Sequence, residues 1–75
     1  MIRIGSLCTS KREGNHDLCQ VTGLWTKRDI DPECPESVAI IGMVKAVWLS
    51  GEMQGKEFNI ARRAFTYRWQ VVRDA

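Results

Sequence analysis

Along most of this chain, apolar and polar positions follow a period of two, which is the signature of half-buried strands, and polar or Gly/Pro-bearing stretches interrupt it. Ile2 and Ile4 alternate with Arg3, so Ile2–Cys8 reads as a first strand. Ser10–Asp17 contains no apolar residue and reads as a loop with Gly14-Asn15 at its tip. Leu18–Thr26 reads as a second strand with Cys19, Val21 and Trp25 on one face, and Gly23 marks a bulge or close backbone approach. Residues 27–37, with Pro32 and Pro35 among acids, read as a connector. Two templates compete over Val38–Leu49. Ser37 or Asp31 as cap and Gly51 as stop suit a helix. The β-branched Val38, Ile40, Ile41, Val44 and Val47, together with Gly42 inside the run, favour a long strand bent at Gly42.

Ser50-Gly51-Glu52 and Gly55 signal turns, and Glu57–Ala61 sets Phe58 and Ile60 apart from Asn59 as a further strand. In the tail, Phe65, Trp69 and Val72 fall at helical spacing, while Phe65, Tyr67, Trp69 and Val71 fall at period two. The expectation is a short helical turn near Arg63–Tyr67 and a closing strand Arg68–Val72.

Seventy-five residues support one core, so residues 1–75 are expected to form a single small β domain. Three tryptophans and 44% hydrophobic residues supply a core with little to spare, and self-association into a homo-oligomer is expected to help. Cys8, Cys19 and Cys34 are an odd number of cysteines without a disulfide-framework spacing, so they read as reduced thiols of a cytoplasmic protein. The first residues lack a signal-peptide pattern, and the longest apolar run, Val38–Leu49, contains Lys45 and is too short to span a bilayer.

Formal net charge is only +2, but it is unevenly placed: Asp29, Asp31, Glu33 and Glu36 stand without a base in 29–36, and Arg62, Arg63, Arg68 and Arg73 without an acid in 61–73. Two differently charged solvated surfaces on one fold are the simpler reading.

This order of elements, with Ile40-Ile41-Gly42-Met43-Val44 as a kinked third strand, Trp48-Leu49-Ser50-Gly51-Glu52 as a tight turn and Phe65–Val72 as a turn-and-strand closure, resembles the SH3-like barrel. The resemblance is to compact orphan versions carried by phages and mobile gene cassettes. It implies a small barrel of about five strands that binds proteins or nucleic acids and often self-assembles. The peptide-binding aromatic motif of signalling SH3 domains is not recognisable.

Candidate chemistry is sparse. Cys8, His16, Cys19 and Cys34 compose a Cys₃His set, yet paired Cys-x₂-Cys knuckles are missing, and the expectation is packed or solvated side chains with no metal and no cofactor. Pairing Cys8 or Cys19 with His16, the only histidine, would give a thiol nucleophile and base but no oxyanion site, so no catalytic residue is assigned. Gly51–Lys56 lacks the strand context and the hydroxyl residue of a phosphate loop.

Nucleic-acid binding would draw on Arg62, Arg63, Arg68 and Arg73 interleaved with Tyr67 and Trp69. The competing and favoured reading puts Phe65 and Trp69 in the core, leaves Tyr67 half-buried and lays the arginine stems over apolar edges. The functional expectation is a non-enzymatic protein-interaction or self-assembling module, an accessory protein of a phage or mobile element, with a nucleic-acid-binding barrel as the alternative.

Overall fold

The computed structural model describes residues 2–74. The chain is mainly β: strands β1 (Leu7–Ser10), β2 (Leu18–Ile30), β3 (Val38–Trp48), β4 (Glu57–Ala61) and β5 (Trp69–Arg73), with helix α1 (Arg62–Arg68) between the last two. All five strands join one antiparallel sheet in the order β4-β3-β2-β1-β5. By hydrogen bonding the sheet is open, because β4 and β5 are its two edges and do not pair with each other. Val38–Trp48 is a strand along its whole length, as its β-branched residues favour, and the helical alternative does not form.

The tail satisfies both periodicities because it contains both structures in succession. Phe65 on α1 and Trp69 at the start of β5 enter the core together. Lys11 closes the helix: its backbone N–H donates to the Arg68 carbonyl at 2.9 Å and its Nζ to the Thr66 carbonyl at 2.7 Å, satisfying carbonyls that a helix end leaves unpaired.

Three expectations are corrected. Ile2–Ser6 is not strand: the chain turns at Ile4-Gly5, and the first strand begins at Leu7. Gly5 takes a positive φ of 96°, Ser6 Oγ accepts from the Arg3 N–H at 3.0 Å, and the turn splits the two isoleucines, burying Ile2 and exposing Ile4. In β2, the register slips between Val21 and Gly23, so the extra residue reverses the side-chain parity beyond it. Cys19 and Val21 therefore face the core while Trp25 is carried to the opposite face, where its Nε1 donates to Asn59 Oδ1 at 3.2 Å. Finally, the connector shrinks to residues 31–37, because Lys27–Ile30 continue β2 and pair with Val38–Ile41 of β3. That loop is held by Asp31, whose Oδ1 accepts from the Glu33 N–H at 2.9 Å and whose carbonyl accepts from Cys34 at 3.0 Å.

The core gathers Ile2, Cys8, Cys19, Val21, Val44, Ala46, Phe65 and Trp69, with Trp48, Phe58, Ile60 and Val71 packed against it. All of it lies toward one end of the β2–β3 hairpin. Among the described residues nothing pairs with the outer edge of β2 beyond Val21 or with that of β3 beyond Met43. Thr26–Ile30 and Val38–Gly42 thus form a two-stranded arm that leaves the body. The molecule measures 43 × 23 × 20 Å, and its radius of gyration of 14.2 Å exceeds the roughly 11 Å of a compact chain of this length.

Candidate functional site

The sheet curls until its edges meet through side chains. Trp48 of β3 stands 5.2 Å from Phe58 of β4 and 5.0 Å from Trp69 of β5, measured between ring centroids. Above these rings, between β4 and the α1–β5 junction, opens a cleft of about 790 Å³. Its apolar wall includes Trp48, Met53, Phe58, Ile60 and Trp69, and its rim carries Lys11, Arg12 and Arg68. Among the described residues no carboxylate lines it, and Glu13 and Glu52 sit on the bordering loops outside the lining.

Two loops build the rim. Asn15 Oδ1 accepts from the Asp17 N–H at 2.8 Å and shapes the β1–β2 loop. This loop is tied to the β3–β4 loop through Ser50 Oγ, which accepts from the Leu18 N–H at 3.0 Å, and through the Leu49 N–H, which donates to the Leu18 carbonyl at 2.8 Å. Gly51 lies at that junction with φ +80°, a backbone conformation that favours glycine, and a Cβ there would stand 2.8 Å from Asp17 Oδ1 and push that carboxylate aside.

The residues of the nucleic-acid alternative are divided by the fold. Trp69 is 8% exposed and belongs to the core, as does fully buried Phe65. Tyr67 is 82% exposed, a correction to the half-buried expectation, because α1 turns its core face through Phe65 and leaves Tyr67 two positions away in solvent. Arg68 lines the cleft together with Tyr67 and Trp69. Arg63 shares a shallow depression with Ala61, Ala64, Tyr67 and Arg68, whereas Arg62 lies over Gly42 at the base of the arm. Arg73 ends β5 opposite Leu7, exposed and outside the cleft.

Lys11 and Arg12, absent from the sequence expectation, complete the rim. Their only linear signal is a basic pair in a polar loop. Pairing of β1 with β5, which sets Ser10 opposite Trp69, is what brings them to Arg68.

The thiols are separated as well. Cys8 and Cys19 face each other across β1 and β2, both fully buried. Burial pushes both thiols up, Cys19 to about 12, and the neighbouring Cys8 adds to the shift at Cys19. Cys34 is exposed on the loop at the other end of the hairpin, and His16 is exposed on the β1–β2 loop. Among the described residues no three His, Cys, Asp or Glu side chains converge as a metal site. No helix among them is long and apolar enough to cross a membrane.

The arrangement offers binding chemistry: an apolar aromatic floor with three cations around it, and an arm that displays apolar side chains. No protein-family model, no curated protein and no solved structure matches the chain.

Proposed function

We propose that this chain is a non-enzymatic, self-assembling protein-interaction module whose contact element is the β2–β3 arm. The observation that carries this reading is the arm's exposed apolar face. Ile30 pairs with Val38 and Arg28 with Ile40 on the face that continues from buried Val44 and Ala46, yet the body ends before it can cover them. Ile40 is 72% exposed. A two-stranded ribbon is only marginally stable alone in water, and its unpaired edges are templates for further strands, so a partner that covers this face or extends these edges stabilises the arm.

In this reading the fold is a small SH3-like barrel. Support comes from the strand order, from α1 lying between β4 and β5, and from aromatic packing across the two sheet edges. The resemblance to compact barrels of phages and mobile gene cassettes gives the context, an accessory protein working in the cytoplasm. Light scattering over a micromolar concentration series tests the reading. A mass that rises to at least two chains is expected, and a single-chain mass throughout would overturn it.

One observation favours nucleic acid as a second reading. Tyr67 presents an open ring face beside Arg63 and Arg68, the pairing of stacking surface and phosphate-neutralising charge that single strands use. That reading requires binding to mixed-sequence single strands that weakens steeply with salt and is lost in Tyr67→Ala with no change in melting.

A further inference from the structure

The cleft and the tip of the arm are complementary in charge and lie at opposite ends of the same hairpin. The cleft rim carries Lys11, Arg12 and Arg68, and among the described residues no carboxylate lines it. The tip carries Asp29, Asp31, Glu33 and Glu36 and, between residues 29 and 39, no base. Ile30 and Val38 flank Asp31, Glu33 and Glu36 and are exposed, which suits an apolar floor.

From the arm tip to Trp48 at the cleft, β3 runs ten residues, on the order of 34 Å at a strand's rise. The tip therefore cannot fold back into the cleft of its own chain. A second copy can fill it, by reciprocal exchange of arms in a two-fold dimer or by head-to-tail repetition.

We propose that the cationic aromatic cleft between β4 and β5 is the acceptor site for the acidic β2–β3 arm tip of a second copy of this chain. This rests on the self-assembly reading and names its acceptor. Nucleic acid is the weaker occupant because Trp48, Phe58 and Trp69 pack against one another, so their faces are not free for stacked bases. A short chain segment needs only an apolar floor with charges at its rim, and about 790 Å³ falls in the range of ligand-binding pockets.

The test is a charge swap on the full chain, followed by sedimentation velocity. Arg12→Glu/Arg68→Glu alters the cleft, and Glu33→Lys/Glu36→Lys alters the tip; all four side chains are exposed. Each variant alone should associate at least about tenfold more weakly than wild type, since like charges then meet. An equimolar mixture of the two should associate again, and all wild-type association should weaken with salt. A single-chain wild type would remove the self-assembly reading itself. If wild type assembles and both variants assemble equally well, the arm reading stands and the acceptor site is wrong. Loss of single-stranded DNA binding in the cleft variant, with its association unchanged, would give the cleft to nucleic acid and also overturn the proposal. Should the cleft variant fail to fold by circular dichroism, the tip variant decides alone, because its substitutions lie on a loop outside the core.

Discussion

Phe58 of β4 and Trp69 of β5 stand 6.0 Å apart between ring centroids with their planes 26° from parallel, although they belong to opposite edges of the sheet. The ladder runs the long way round, through β3, β2 and β1, while these two rings meet directly. Packing, with α1 as the covalent link, therefore joins the edges that backbone hydrogen bonding leaves open.

Trp69 is the hinge of that closure, since it contacts Trp48, Phe58 and Phe65. Trp69→Ala should cost about 3–5 kcal/mol, the range for a buried large aromatic, which is most of the stability of a small domain. Trp25→Ala should cost about 1 kcal/mol or less, because the bulge has carried Trp25 to the outer face, where it is 43% exposed. Urea unfolding of both variants checks this contrast, and equal losses would show that the assigned core is wrong.

Gly51 and Gly55 both have positive φ, but only Gly51 is crowded. Gly55→Ala should lose roughly 1 kcal/mol from backbone conformation alone. Gly51→Ala should lose at least as much, because the added Cβ also pushes the Asp17 carboxylate aside at the junction of the two rim loops. Thermal melts of the pair would refute the loop geometry if the order were reversed.

The thiols give a third expectation, on reactivity and pH. In the native protein Cys34 should react rapidly with a thiol reagent while Cys8 and Cys19 are protected; under denaturing, non-reducing conditions three thiols per chain should react. A denatured count of one would reveal a disulfide between Cys8 and Cys19. Their folded-state pKa values are raised, so the folded state holds those protons more tightly than the unfolded one. The stability this contributes is complete below the ordinary thiol value of about 8.5 and is lost as pH rises from there toward about 12. Wild type should therefore lose more stability between pH 8 and 10.5 than Cys8→Ala/Cys19→Ala does, and an equal loss would contradict burial of the pair.

Period-two patterning made much of the body legible, though at the first strand the alternation of Ile2 and Ile4 pointed to residues that precede β1. Glu57–Ala61 coincides with β4, and the tail's double periodicity resolves into α1 followed by β5. The arm was hidden because Lys27, Arg28 and Asp29 belong to a ribbon that meets no core, so alternation carries no signal there and only pairing defines the strand. Gly23 announced a bulge, but the unbroken alternation of the sequence keeps Trp25 on the face of Cys19 and Val21; the extra residue at Thr22, upstream of Trp25, reverses it. The cleft was not legible because its rim joins Lys11 and Arg12 to Arg68, more than fifty positions away, through the pairing of β1 with β5.

Self-assembly through the arm is tested most directly by the mass in solution of wild type beside Val38→Lys/Ile40→Lys, measured by light scattering at the same micromolar concentrations. Both side chains are exposed and lie outside the core, so the variant should melt as wild type does. Wild type should weigh at least two chains and the variant one. A single-chain wild type, or a folded variant that keeps the wild-type mass, would contradict the account.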